Sequence, residues 1–492
     1  MNHTHILSTI LAASLIMVNT ADAAPSKKSR KTKAKPAKVE KKEAPALPVV
    51  NHPSAPQHHE AEYKNFADQL KEITRTNSFD VSPALFTILK ATNDEFCIEW
   101  WMQRAAHEGL PPAQLFMAQK QLRHLPKDQY RTAEVKDAVA LLKKASDAKF
   151  VPAMQEYSMC MRLGIGTLEN DQGADRLLIQ ACSGGSYETR FEWLRQSGRL
   201  NQYEDLQRAE VKAEIERGNH YILHHMSLMA PDSATITDML VKAASQGNGT
   251  ALYELSELYA KVDIAQSYKL LTAAVKLRSP DALYRMGMYM ISPPTTLELN
   301  VGPVRNQATG VVMLKMASIL GQADARAQLA RMYYNGLNQH LAKDVSKAYR
   351  HVAIGAAISG NPMLITAQGY MLLTGQGTDK NEEMGLKLIK LAASRKYTYA
   401  KCLLGYIYYH GMGVEKKLSE AVFHLEDASS YKDPMALIYL ALLFDAEKDK
   451  SKSTYYLEHA ERLLPDKARA IFIDLQDPES GWIMGPFPIE NI

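Results

Sequence analysis

Histidine and cysteine are the side chains in this sequence that could bind a metal or act as nucleophiles. His58-His59 and His224-His225 are adjacent pairs. Neither pair is accompanied by an HExxH or a CxxC motif, the spacings that zinc sites use. A cysteine nucleophile needs a partnered histidine, which sequence alone does not place. We therefore expect no catalytic residue, no cofactor and no metal site, with structural roles for the four cysteines: Cys97, Cys160, Cys182 and Cys402.

Two Gly-x-Gly segments could be mistaken for phosphate-binding loops. Gly164-Ile165-Gly166 and Gly375-Gln376-Gly377 lack the third glycine and the strand-to-helix context that such a loop requires. They also recur at the same position of a sequence repeat, so we interpret them as turns between helices.

Composition and charge restrict the class of protein. The 492 residues are 46% hydrophobic and 23% charged, which excludes wholesale disorder, and four cysteines exclude a disulfide-built scaffold. The net charge is +4, but nine Lys or Arg and only two Glu lie within residues 26–43, so the rest of the chain is slightly acidic. A nucleic-acid-binding domain would carry its positive charge in the fold, so we expect no nucleic-acid partner.

The N-terminal residues have the pattern of an export signal. Residues 6–18 are apolar but too few to span a bilayer, and Ala21-Asp22-Ala23 has the small-x-small form of a cleavage site. The first five residues depart from the pattern because they contain no Lys or Arg, and no cysteine follows the apolar run to carry a lipid. We expect a signal peptide at 1–23 and an exported mature chain, periplasmic or secreted, without a transmembrane helix.

Residues 24–60 are rich in Lys, Ala and Pro and poor in aromatic residues. Such a segment cannot bury enough apolar area to offset its ordering entropy, so we expect a disordered linker. It is either a solvated spacer or an electrostatic contact of residues 26–43 with an anionic envelope surface, which salt would weaken.

From about residue 60 the sequence repeats a motif of two small residues, two variable residues and a helix stop. Eight positions after the first small residue, eight of the ten copies have alanine. Most copies are 30 to 45 residues apart, which is the period of stacked helix pairs. A degenerate copy near 214–218 divides the one long interval. Each unit would comprise two antiparallel helices, A and B, with helix B ending at the motif. The ten copies begin at Ala105, Ala145, Ala181, Ala243, Ala274, Ala317, Ala356, Ala392, Ala428 and Ala460.

The helix stop of this motif takes two forms. Five copies have glycine four positions after the first small residue, and glycine accepts the left-handed conformation that closes a helix. Four other copies have a cation there, which we interpret as a favourable charge at the helix dipole in the absence of a glycine cap. These cations are Lys149, Arg278, Lys396 and Lys432.

Residues 400–428 resemble a Sel-1-like repeat. Ala400, Leu404-Gly405, Tyr408 and the turn Gly411-Met412-Gly413-Val414, followed by Ala421 and Ala428, match the family pattern A-x3-LG-x2-Y-x2-G-x-G-V, then A, then AA-x2-G. The resemblance covers about residues 80–470, strongly at 138–190 and 317–440 and weakly at 190–240. It implies an all-α fold: a right-handed α/α superhelical solenoid of about ten to eleven helix pairs, related to tetratricopeptide arrays.

The resemblance also divides the chain. We expect N-terminal repeats at 61–235, degenerate at 190–235, and C-terminal repeats at 236–475. Residues 291–306 would form an enlarged A–B loop, and residues 476–492 an irregular C-terminal tail.

Polar and aromatic residues recur six and ten positions after the start of three successive A helices. Their i, i+4 spacing would place them in a ladder along the concave wall of the solenoid, although ordinary packing positions are the alternative. Tyr and Arg suit interfaces because they combine a large area with a polar tip. We therefore expect a non-enzymatic scaffold that binds a protein or peptide through Arg331, Asn335, Tyr370, Thr374, Tyr406 and His410.

Two other functions stay open. A cysteine-rich branch of the resembling family is associated with penicillin binding and β-lactam hydrolysis, which suggests an envelope enzyme or glycan-binding protein acting on cell-wall material. Cys182 matches only half of that branch's cysteine pattern, although Cys160 and Cys182 could pair in an oxidising compartment. The other function is a structural spacer anchored by the basic tail.

Overall fold

A computed structural model describes residues 60–122, 129–183, 186–293, 305–337, 340–465, 467–476 and 484–488. Over these residues the secondary structure is helical, apart from an isolated bridge between Leu337 and Leu341. The predicted all-α class is therefore confirmed. The predicted signal peptide, the linker up to residue 59 and His58-His59 lie outside the described residues.

Twenty-four α-helices and one 3-10 helix, Tyr203–Gln207, make up the described part of the chain. The α-helices are α1 Glu60–Thr76, α2 Ser82–Thr92, α3 Cys97–His107, α4 Pro111–Leu122, α5 Ala133–Asp147, α6 Val151–Leu163, α7 Asp171–Cys182, α8 Tyr187–Gln196, α9 Ala209–Glu216, α10 His220–Ser227, α11 Ser233–Ser245, α12 Gly249–Tyr259, α13 Ile264–Lys276, α14 Pro280–Ile291, α15 Gln307–Ile319, α16 Ala323–Asn335, α17 Val345–Ser359, α18 Pro362–Thr374, α19 Glu382–Ser394, α20 Thr398–His410, α21 Leu418–Ser429, α22 Pro434–Ala446, α23 Lys450–Leu463 and α24 Ala468–Gln476.

The helices follow one another as A–B pairs, from α2 with α3 to α22 with α23, so the described residues contain eleven pairs flanked by α1 and α24. Each helix packs mainly on its neighbours in the chain, as in an α/α solenoid. The degenerate copy also forms a helix: α9 has only eight residues, and Gly218, whose φ is +90°, follows two positions after its end. The predicted number of ten to eleven pairs is confirmed.

The alanine motif marks the places where helices meet. All ten of its first alanines lie in B helices and are buried. The eight alanines that follow at the fixed interval lie in the first turns of A helices, and each has 0% exposure. A larger side chain at these positions would push neighbouring helices apart, which explains why the repeat is visible in the sequence.

The four cations at the helix stop adopt a backbone conformation that was not predicted from the sequence. Lys149, Arg278, Lys396 and Lys432 have φ between +57° and +64°, and the glycines at this position in four other copies, Gly109, Gly247, Gly321 and Gly360, also have positive φ. The following amide closes the helix: Phe150 N–H donates to the Ala145 carbonyl, a bond that requires a left-handed residue between. These copies lack the glycine, but lysine and arginine adopt the cap geometry themselves.

The turn interpretation of the Gly-x-Gly segments is confirmed. Gly377 has φ +73°, and a Cβ there would lie 2.2 Å from the Val345 carbonyl oxygen. Only glycine fits this close approach of the turn to the first residue of α17.

The described residues form two compact units, one up to Met286 and one from Gly287 onwards. In the N-terminal unit, the turn between α1 and α2 contacts distant parts of the chain. Phe79 packs on Val151 in α6, and the Asp80 carboxylate accepts a hydrogen bond from Arg278 Nη1 at 2.7 Å. Contacts between sequence neighbours therefore do not account for this whole unit. No described helix is long and apolar enough to cross a bilayer.

Candidate functional site

Tyrosines from successive A helices of the C-terminal unit form a connected polar and aromatic surface. Tyr334 in α16 donates a hydrogen bond through its hydroxyl to Gln376 Oε1 at 2.7 Å. The Gln376 side chain also hydrogen-bonds the hydroxyl of Tyr370 in α18, and Tyr406 in α20 lies close enough to interact with Tyr370. We call this surface the tyrosine face; it comprises Arg331, Tyr334, Tyr370, Gln376, Tyr399 and Tyr406.

The repeat places these side chains. Tyr370 and Tyr406 occupy the same position of successive A helices, 36 residues apart in the numbering, so stacking of the pairs brings their rings together. Gln376 lies between the two glycines of the α18–α19 turn, which projects it toward Tyr334.

Burial keeps the tyrosine hydroxyls protonated. Tyr370, Tyr399 and Tyr406 expose only 6%, 8% and 9% of their surface. Loss of solvation raises the pKa of Tyr370 to about 12 and the pKa of Tyr399 well above its usual range. These hydroxyls therefore stay available as hydrogen-bond donors at neutral pH.

The C-terminal segment 484–488 covers the tyrosine face. The Tyr399 hydroxyl donates to the Gly485 carbonyl oxygen at 2.8 Å and lies 3.0 Å from the Phe487 carbonyl oxygen. The backbone of Met484 hydrogen-bonds the Tyr406 hydroxyl. The face therefore contacts the main chain of this segment at three positions: 484, 485 and 487.

The side chain of Phe487 is held at the other end of the face. Its ring packs edge-on against Tyr334, with centroids 6.0 Å apart. The Arg331 guanidinium carbon lies 5.6 Å from the centroid of the same ring, within the range of a cation–π interaction. Arg331 and Tyr334 thus form an aromatic subsite on α16.

Of the six residues predicted for the binding face, three lie on the tyrosine face and three do not. Arg331, Tyr370 and Tyr406 belong to the tyrosine face. The residues one turn later lie beside the face. The Thr374 hydroxyl donates to the Tyr370 carbonyl of its own helix at 2.8 Å, and the centroid of the His410 ring lies 4.3 Å from that of Tyr406. Asn335 and His410 are exposed at the C-terminal ends of α16 and α20.

Sequence reasoning missed Tyr334, Gln376, Tyr399 and segment 484–488. Gln376 is the middle residue of a Gly-x-Gly turn. The two glycines were sufficient to predict the turn, so nothing singled out the residue between them. The segment carried one signal that could have identified it, an aromatic residue between Pro486 and Pro488, which is typical of an extended chain that binds aromatic grooves.

Cys160 and Cys182 are free thiols, so the possible disulfide between them does not form in the structure. Burial raises the pKa of the Cys160 thiol far above its usual range and that of Cys182 to about 11. Little thiolate exists at neutral pH in either case, which disfavours both as nucleophiles.

The adjacent histidines of α10 face different partners. His224 Nε2 lies 3.0 Å from Glu254 Oε1, whereas the His225 ring packs edge-on against Phe191 at 5.3 Å. Burial is the main cause that lowers the pKa of His225 to about 4. Across the described ranges, no three His, Cys, Asp or Glu side chains are grouped to hold a metal ion.

Part of the C-terminal unit matches a known repeat family. The Sel1 repeat family matches residues 323–357, 367–397 and 398–430. A protective antigen of uropathogenic Escherichia coli strains with an SLR fold is 17% identical, with 83% of this chain and 89% of that chain covered and a TM-score of 0.43. A Sel1 repeat protein from Oxalobacter formigenes is 19% identical, with 66% and 93% covered and a TM-score of 0.37.

The matched segments coincide with structural repeats. They span α16 with most of α17, most of α18 with α19, and α20 with α21, and each contains the buried alanine motif. These three segments of the chain match the Sel1 repeat.

Proposed function

We propose that this protein is an exported, non-enzymatic scaffold that binds a protein or peptide through the tyrosine face of its C-terminal unit. Sel1 repeat scaffolds fit protein–protein interaction in general, because stacked helix pairs present a long continuous surface. The observation that carries the proposal is that Tyr399 and Tyr406 already hold a non-helical segment by its main chain.

The composition of the face supports binding over catalysis. Tyrosine and arginine supply large contact areas with few rotatable bonds, which is why they dominate the energetics of protein interfaces. The ionisable groups of the face are tyrosines held protonated and an arginine, which can donate hydrogen bonds but not accept a proton at neutral pH.

Export is the second part of the proposal. It is supported by the apolar run at 6–18 and the small residues Ala21 and Ala23, and the basic segment 26–43 would hold the mature chain near an anionic envelope surface. N-terminal sequencing of the protein from the extracytoplasmic fraction should read from Ala24. Recovery of the intact N-terminus in the cytoplasm would contradict export.

Site-specific photocrosslinking tests the binding face. We would place a photoreactive phenylalanine analogue at Asn335 or His410, both exposed beside the face, and at Phe423 on α21 as a matched exposed control. The proposal predicts discrete partner adducts from the first two positions that Tyr370→Ala with Tyr406→Ala abolishes. Equal adducts from position 423, or adducts insensitive to the double substitution, would contradict it.

A further inference from the structure

We infer that the tyrosine face is a site for a non-helical, proline-containing peptide with one aromatic residue, and that segment 484–488 is its tethered competitor. The inference rests on the proposed function and adds the chemistry of the partner and a form of regulation. It is carried by the hydrogen bonds and ring contacts between this segment and helices α16 and α20.

The main-chain contacts determine the backbone conformation that the site accepts. Tyr399 contacts the carbonyl oxygens of Gly485 and Phe487, residues two apart. A helical segment would use its carbonyls in internal hydrogen bonds, whereas the non-helical chain here, which bends at Pro486 and Phe487, leaves them for an external donor. Pro486 and Pro488 have no N–H and fix φ, so they favour the accepting conformation before binding.

The aromatic subsite determines which side chain the site accepts. The Phe487 ring lies between the edge contact of Tyr334 and the Arg331 guanidinium. An aliphatic side chain would lose both the ring–ring and the cation–π contribution. Met484 at the other end is 2% exposed, so a large apolar residue three positions before the aromatic residue is also favoured.

The position of the segment is not that of a terminal cap. A cap would cover the last helices, but α24 already packs on α22 and α23. Segment 484–488 instead contacts α20 and α16, one and three repeats before the final pair. Gly485, Phe487 and Pro488 are only half-buried, so the segment lies on the surface of the repeats.

Attachment to the chain gives the segment an advantage over free ligands. The described part of α24 ends at Gln476, eight positions before Met484, so the tether is short. Short tethers produce effective concentrations on the order of millimolar. A partner peptide of similar intrinsic affinity therefore binds weakly until the segment is displaced.

Peptide binding to the full chain tests this inference. The probe is a fluorescein-labelled peptide with the sequence of residues 482–488, and the readout is fluorescence anisotropy. Wild type is compared with a variant carrying Met484→Lys and Phe487→Lys, and with the milder Phe487→Ala, which guards against misfolding. We expect the double variant to bind the probe at least about tenfold more tightly than wild type because its competitor is lost.

Removal of one hydroxyl tests the main-chain contact. In the double variant, Tyr399→Phe should weaken probe binding by about fivefold to tenfold, the loss expected for a hydrogen-bond donor. The matched control is Tyr408→Phe on the same helix, whose ring stacks on His424 of α21, and it should leave binding unchanged. A probe with Phe487→Leu should also bind more weakly than the parent probe.

Three outcomes would overturn the inference. Equal probe affinity in wild type and both released variants would show that the segment does not compete. Equal losses of probe affinity from Tyr399→Phe and Tyr408→Phe would show that the Tyr399 hydroxyl makes no specific main-chain contact with the probe. Wild-type dimers that become monomeric with Phe487→Ala would show that the segment binds a second copy. If any of these occurs while the adducts at Asn335 and His410 persist, the inference fails but the proposed function stands.

Discussion

Gly369 in α18 and Gly385 in α19 face each other where the two helices of one repeat cross. A Cβ on Gly385 would lie 2.6 Å from the Gly369 carbonyl oxygen, and a Cβ on Gly369 would lie 2.7 Å from the Gly385 carbonyl oxygen. Gly287 and Gly310 make the same contact between α14 and α15, at 3.0 and 2.7 Å. Close backbone contact is therefore a recurring property of the repeat in the C-terminal unit.

Gly385→Ala should destabilise the C-terminal unit by about 1–3 kcal/mol, because the added methyl group has no space between the helices. Chemical denaturation followed by circular dichroism measures the loss. Lys387→Ala, two residues along on the exposed side of α19, is the control and should change stability by less than about 0.5 kcal/mol. Equal effects of the two substitutions would contradict the close contact.

Lys396→Gly should stabilise the protein by about 1 kcal/mol, because Lys396 has φ +64°, which costs a residue with a side chain more than glycine. Lys396→Ala keeps the unfavourable conformation and removes the charge, so it should give no gain. The two variants separate conformation from charge in one denaturation series. Stabilisation by alanine as large as by glycine would show that charge dominates at this helix end.

The buried Glu156 carboxyl should make stability depend on pH. Burial, with the nearby charge of Glu192, raises the pKa of Glu156 to about 7, against a contribution in the opposite direction from Gln119. The folded state thus holds this proton more tightly than the unfolded state. Its contribution to stability is complete below the ordinary pKa near 4.5 and is lost as the pH rises through 7.

The glutamine of Glu156→Gln cannot ionise. The free energy of unfolding of this variant, relative to wild type, should therefore rise by about 2 kcal/mol from pH 5 to pH 8. Denaturation of both proteins at the two pH values measures this difference. Glu169→Gln, at an exposed position, is the matched control and should show no such change. A gain that is the same at both pH values would mean that Glu156 does not titrate in this interval.

The sequence was sufficient for everything that repeats. Ala400 and Ala428 occupy positions that packing restricts in every copy, so their spacing revealed the helix pairs before any coordinates. Tyr370 and Tyr406 were found in the same way, because equal positions of stacked helices must be neighbours.

Contacts that occur once could not be found by the same method. Asp80 meets Arg278 across 198 positions, and Tyr399 meets Gly485 across 86, with no periodic signal at either site. The φ of Lys396 was also hidden, because lysine gives no indication that it replaces glycine at a left-handed position. The missing information concerned long-range contacts and backbone conformation, which composition and spacing do not encode.

The most direct test of the central claim is to map what position 487 touches in solution. A photoreactive phenylalanine analogue replaces Phe487 in the full chain, and the cross-linked peptides are identified by mass spectrometry after irradiation of the dilute protein. If the tyrosine face holds segment 484–488, the cross-links should join position 487 to the peptide containing Arg331 and Tyr334 of the same chain. Cross-links that map to B helices or to the N-terminal unit, with none on α16, would contradict the account.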